Sequence, residues 1–169
     1  MKQERWKPSV TVAAVIEHEG RFLMVEEETS EGLMFNQPAG HLDPGESPQQ
    51  GVVREALEET ARHFVPEALL GLYMARFQRP ARQGRDLEDV TYLRLAFCGS
   101  VGEPVPGLAL DQGIVRTLWM SVEELRACAD RHRSPLVMRC VEDYLAGRRL
   151  PLEALVIDGS LYEPWVKGA

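Results

Sequence analysis

The chain has 169 residues, 44% hydrophobic and 27% charged, with a formal net charge of −7. That is ordinary globular composition, and the length suits one domain over residues 1–169 with a sizeable core. The acidic balance argues against non-specific nucleic-acid binding, and no apolar run approaches a membrane span.

Cys98, Cys128 and Cys140 form no C-x-x-C pair, so neither a zinc site nor a disulfide framework is indicated. The N-terminus carries charges without an apolar signal region. A reducing cytoplasm is the expected setting, with no nucleic acid and no membrane as partner.

Val10 to Glu17 alternates apolar residues with smaller or polar ones, and Gly20 separates it from Arg21 to Glu26, which predicts strand, turn, strand. His18 falls at the turn and reads as solvated. Glu26, Glu27 and Glu28 read as a solvated strand end, because alternation would send them to opposite faces. Leu33 to Gln37 is a short strand leading into Pro38-Ala39-Gly40.

The stretch from Gly40 to Arg62, GHLDPGESPQQGVVREALEETAR, holds the densest signals. Its first half reads as a turn and its second as a helix. Ser47 is a good N-cap, Pro48 sits where a missing N–H costs nothing, and Gln50 completes an S-x-x-Q capping box, so the helix starts near Pro48. Val53, Leu57, Thr60 and Phe64 form the expected core stripe, leaving Glu55, Glu58 and Glu59 on a separate acidic face. Three carboxylates at i, i+3 and i+4 repel by about a few tenths of a kcal/mol per pair, which Arg54 partly relieves. With Ala61 and Arg62 following, the helix is expected to run on toward Val65, where Pro66 stops it.

Ala68 to Gln78 and Val90 to Val101 read as strands around a basic tip. Of its arginines 76, 79, 82 and 85, Arg76 and Arg79 are the candidates for clamping substrate phosphates. Tyr73, Phe77 and Tyr92 read as core aromatics, base stacking being the alternative. Asp111 lies in the loop before a strand from Ile114 to Met120, and Ser121 with Glu124 makes a second capping box. Ser134-Pro135 starts a third helix that presents Leu136, Val137, Cys140, Val141, Tyr144 and Leu145 to the sheet, with Gly147 just past its end. His132 and Ser134 stand where a helix N-terminus attracts anions. The tail from Leu152 to Ala169 carries an apolar run and Trp165, suited to packing on the domain or on a second subunit.

The spacing Gly40, Glu46, Arg54-Glu55, Glu58-Glu59 resembles the Nudix box, G-x5-E-x7-R-E-U-x-E-E-x-G-U with U aliphatic. The match breaks at its end, where Ala61 and Arg62 replace the Gly and the aliphatic residue. The resemblance implies an α/β/α sandwich with a central mixed sheet, hydrolysing phosphoanhydride bonds with Mg²⁺, Mn²⁺ being a substitute. It implies Glu55, Glu58 and Glu59 as metal ligands, with Glu59 indispensable and the Ala39 carbonyl completing a shell. Glu46 and Arg54 are implied as an ion pair orienting those ligands, and Gly40 and Gly45 as backbone-shaping positions. Asp111 is a candidate general base or extra ligand, and Glu103 a weaker one.

The Asn36-Gln37-Pro38-Ala39-Gly40-His41-Leu42 variant, together with the segments from Trp6, Arg133 and Gly147, is similar to the NudJ-type phosphatases of this family. That implies removal of terminal phosphate from nucleoside di- and triphosphates and from the thiamine-pathway pyrimidine pyrophosphate, by a monomer or homodimer. The alternatives are a pyrophosphatase of ADP-ribose, nucleotide sugars or dinucleoside polyphosphates, and a non-catalytic nucleotide sensor.

Overall fold

A strand buried on both faces explains the architecture. Every residue from Val12 to Ile16 is at most 1% exposed, and strands covered on both sides lie inside layered α/β proteins. In the computed structural model, which describes residues 5–80 and 87–164, this strand is β1 (Ser9–His18). The chain continues through β2 (Arg21–Thr29), β3 (Gly32–Asn36), β4 (Ala39–His41), α1 (Pro48–Thr60), β5 (Phe64–Pro80), β6 (Leu87–Val101), β7 (Ile114–Ser121), α2 (Val122–Ala127) and α3 (Leu136–Leu145).

The sheet runs β3-β2-β1-β6-β5, with β4 on β1 and β7 on β2. β1 is parallel to β6 and antiparallel to β4, so the sheet is mixed. Alternation along β1 builds two cores. Ala13 and Val15 join Phe22, Met24, Ala96 and Cys98 beneath Leu125 of α2 and Val137, Cys140 and Val141 of α3. Val12, Ala14 and Ile16 join Leu23, Leu95 and Phe97 beneath Val52 and Ala56 of α1. The sheet is therefore sandwiched between helices, and each large side chain so buried contributes about 1.5–3 kcal/mol.

Both capping boxes form. The Ser47 hydroxyl accepts from the Gln50 N–H at 3.2 Å while the Gln50 side chain accepts from the Ser47 N–H at 2.8 Å, and Ser121 and Glu124 repeat the pattern. α3 starts less regularly than Ser134-Pro135 suggests: Pro135 occupies the cap, and Ser134 Oγ accepts from Leu136 N–H at 3.3 Å. Its buried residues are Val137, Cys140, Val141 and Asp143, whereas Leu145 is exposed.

Several expectations are corrected. α1 does not run on to Val65. It ends at Thr60, and Ala61 takes the left-handed conformation at φ 55°, ψ 26°. The non-local reason is β5: the chain must reverse at once so that Phe64 can pair with Val101. Of the expected stripe, Thr60 and Phe64 are buried and Val53 packs against the core, but Val52 and Ala56 complete the face in place of Leu57, and Glu55 and Glu59 are buried beside it. Gly40 lies on a strand, opposite Val12 of β1, rather than in a turn; Gly45 does adopt a positive φ of 83°.

Glu26 is not solvated. β2 continues to Thr29, and Glu26 is buried between Arg116 and Arg131. The hairpin strands also reach farther than predicted, from Phe64 to Pro80 and from Leu87. Residues 150–155 strap the domain: Leu69 and Leu150 exchange backbone hydrogen bonds at 2.8 and 2.9 Å, and Leu152 and Leu155 pack against the α1-side core. Trp165 lies outside the described residues. Among the described residues no helix is long and apolar enough to cross a membrane.

Candidate active site

The pairing of β4 with β1 sets Ala39 and Gly40 against the inner side of α1. The Ala39 N–H donates to Glu59 Oε2 at 2.8 Å. A Cβ on Gly40 would lie 2.1–2.2 Å from the Glu55 carboxyl atoms, so glycine at 40 is what lets that carboxylate lie against the strand. Gly51 does the same for Glu46, whose Oε1 would sit 2.9 Å from an added Cβ.

Arg54 ties the motif together. Its Nε and Nη2 donate to Glu46 Oε2 and Oε1 at 3.0 and 2.6 Å, a bidentate pair. Nη1 donates to Glu55 Oε1 at 2.8 Å and Glu58 Oε2 at 3.0 Å, and Nη2 reaches the His41 carbonyl at 3.0 Å. The paired Arg54 holds Glu46 below the usual carboxylate range. Burial pushes Glu55 up. Burial also pushes Glu59 up to about 9, and the neighbouring carboxylates of Glu55, Glu27 and Asp111 add to that while the Ala39 N–H opposes it.

Among the described residues no three acidic, histidine or cysteine side chains converge as a ready-made ion cage. Arg54 engages Glu55 and Glu58, and Glu59 is turned to Ala39. The donor set nonetheless fits a hard divalent cation: it is all oxygen, and a buried Glu59 ringed by like charges lacks the positive charge that would make ionisation favourable.

The other candidates fall in different places. Asp111 is exposed, and its N–H donates to the Glu58 carbonyl at 2.8 Å, which holds this loop on α1. Glu103 is exposed. Arg76 is engaged across the hairpin by Asp89, with Nε donating at 2.9 and 3.1 Å. The Arg79 backbone pairs with Glu88 on β6, its side chain lying outside the described residues along with Arg82 and Arg85. His18 is exposed beside Trp119, with ring centroids 5.9 Å apart.

Next to the carboxylates opens a cleft of about 870 Å³, lined by Ala39, Gly40 and His41 on one side and by the segment from Ala129 to Met138 on another. His132 and Ser134 both line it. Tyr73 is core as read, but Phe77 and Tyr92 stack on each other at 5.3 Å and line this cleft instead. Glu27, read from the sequence as a solvated strand end, lines it as well, as do Asn36 and Arg94, to which the sequence assigned no role in the site. The legible signal was a charged Arg94 between Leu93 and Leu95 in an apolar strand.

A family model described as the NUDIX domain matches residues 5–140. Phosphatase NudJ of Escherichia coli K12 is 34% identical over 163 residues, 96% of this chain and 98% of that one, and Phosphatase NudJ of Shigella flexneri matches equally. Among solved structures, a NUDIX hydrolase from Nitrosomonas europaea is 48% identical with a TM-score of 0.78, covering 90% of this chain and 98% of its own. The chain belongs to the Nudix hydrolase family.

Proposed function

We propose that this chain is a Mg²⁺-dependent phosphatase releasing orthophosphate from nucleoside di- and triphosphates, with the thiamine-pathway pyrimidine pyrophosphate as a further substrate. The observation that carries the reading is the carboxylate face of α1, packed against Ala39 and Gly40 of β4, two residues that also line a cleft of nucleotide size. The relatives named as phosphatases support it.

Glu55, Glu58, Glu59 and the Ala39 carbonyl would hold the cation, with Mn²⁺ as a substitute. When bound, it neutralises phosphoryl charge and lowers the pKa of a water molecule. The chain's own residues do the rest. Arg54 keeps Glu55 and Glu58 oriented, and Glu46, anchored by the Asp43 N–H at 2.8 Å, keeps Arg54 oriented. As the terminal P–O anhydride bond breaks, the proton of the attacking water passes to a loop acid, for which Asp111, whose N–H donates to the Glu58 carbonyl at 2.8 Å, is the candidate. Three free thiols support a reducing compartment.

The test is product analysis with and without Mg²⁺ on GTP, GDP, the pyrimidine pyrophosphate, ADP-ribose and a dinucleoside polyphosphate. Metal-dependent orthophosphate from the first three is the expected result. AMP and ribose phosphate from ADP-ribose would replace the reading with a pyrophosphatase, and nucleotide binding without turnover would replace it with a sensor.

A further inference from the structure

Two arginines, Arg94 and Arg133, line the cleft beside the carboxylates, and the fold treats them differently. Arg133 keeps 40% of its side chain exposed and its Nε stands 3.4 Å from Glu27 Oε1, so its charge is shared between water and a carboxylate. Arg94, on β6 between Leu93 and Leu95, is only 7% exposed. Its Nη1 and Nη2 donate to Gln37 Oε1 and Asn36 Oδ1, each at 3.2 Å, and Cys140 is a further partner. Among the described residues, every group that bonds this guanidinium is therefore uncharged: two amides and a thiol that burial pushes up to about 11.

A buried cation without a bonded anion is costly. Burial works against the charge of Arg94, but a guanidinium does not give up its proton, so titration brings no relief. Glu27 and Glu59 lie near enough to act on it through space, without a hydrogen bond to it. The guanidinium is nevertheless held in place. Gln37 is fixed by its Nε2 on the Val137 carbonyl at 2.8 Å, and Asn36 is paired on β3 with Val25. A guanidinium carries five N–H donors in a rigid fork, more than these partners use. The surplus stands in a cleft that Ala39 and Gly40 also line, close to the Glu59 carboxylate.

A fixed, desolvated donor fork short of an anion matches a group that offers several charged oxygens, and phosphate oxygens accept from guanidinium in pairs. Arg76, to which the sequence pointed for that task, is taken by Asp89. We propose that Arg94 binds the terminal phosphate of a nucleotide held in this cleft, with Asn36 and Gln37 aiming its guanidinium. The terminal phosphate, not the inner one, follows from the neighbourhood of Arg94: Glu59 belongs to the carboxylates proposed to hold the cation, and the phosphate that is cleaved is the one at the cation. The inference rests on the phosphatase reading and names the side chain that grips the transferred group.

The experiment is calorimetric titration, in Mg²⁺, of the full-length protein and its Arg94→Gln and Arg94→Lys variants. The ligands are GMP and a GDP analogue whose bridging oxygen is replaced by methylene, which is not hydrolysed. Arg94→Gln is expected to weaken the analogue by about tenfold or more and to leave GMP unchanged, so the preference for the diphosphate shrinks. Arg94→Lys keeps the charge but not the fork, and should fall between. Equal weakening of both ligands would mean that Arg94 only supports the cleft wall, which overturns the proposal; an analogue affinity that neither variant changes overturns it as well. Should Arg94→Gln fail to fold, the same comparison on Arg94→Lys decides. Should no nucleotide bind the unaltered protein, the phosphatase reading fails by itself, and methylene diphosphonate titrated against the same proteins then decides the Arg94 assignment. Affinity lost in the variants upholds it, while affinity unchanged, or no binding at all, overturns it.

Discussion

Two buried glutamates, Glu26 and Glu59, meet opposite treatment. Glu26 is 4% exposed and receives Arg116 Nε at 2.6 Å and Arg131 Nη2 at 2.5 Å; the hydrogen bond from Arg116, with Arg131 assisting, holds its carboxyl below the usual range. Glu59 is 9% exposed, receives one backbone N–H, and has carboxylates for neighbours. The fold completes the first site with its own cations and leaves the second without one. A carboxylate left short of positive charge, in a chain that supplies arginines elsewhere, is where the proposed cation would bind.

The sharpest way to break this contrast is Glu59→Gln. It should cut kcat/KM by about 10³, or ~4 kcal/mol of barrier; phosphate release at the unaltered rate would remove Glu59 from the metal-binding set. Its effect on stability has the opposite sign. Folded Glu59 keeps its proton up to about pH 9, against 4.5 for a free glutamate, so without divalent cations its contribution to stability is full below pH 4.5 and is lost as pH rises through about 9. Melting curves in chelator should therefore decline toward alkaline pH in the parent protein and flatten in Glu59→Gln.

Glu26→Gln is expected to destabilise by about 1 kcal/mol at neutral pH, since the arginines it leaves behind keep 60% and 39% of their side chains exposed and no unpaired charge is buried. Because the folded pKa of Glu26 is depressed below 4.5, its stabilisation is present above pH 4.5 and is lost as pH falls through the folded value. The variant should then lose part of the parent's acid sensitivity, and a melting temperature unmoved at pH 7 would mean the two arginines contribute nothing net. Arg54→Lys abolishes the bidentate grip on Glu46 while keeping the charge, and should lower turnover about 10- to 100-fold with little change in melting. Smallest is Ala61→Gly, which removes a left-handed alanine and should stabilise by up to about 1 kcal/mol; chemical denaturation showing a loss would mean the buried methyl outweighs the strain.

Local chemistry was legible. The S-x-x-Q and S-x-x-E boxes placed two helix starts because caps act within three residues, and alternation placed β1. Features that depend on distant partners were not legible. Glu26 read as solvated because its arginines come from 90 and 105 residues away. The α1 face was partly misassigned because Glu55 and Glu59 are buried next to Val52 and Ala56, and hydrophobic periodicity cannot register a buried carboxylate. Phe77 and Tyr92 meet only through the register of β5 on β6, which no spacing encodes.

The parallel pairing of Val12 with Leu95 also bears on how the site comes into being during folding. β4 hangs on β1, and β1 finds its long parallel neighbour only after α1, β5 and the hairpin have been made. Contacts of such sequence separation close late and slow folding. During synthesis, then, the Ala39 N–H and the carboxylates of α1 emerge long before the strand that seals their support. Hydrolytic competence should consequently appear in one step with the last-formed sheet, and no partly folded intermediate would have it.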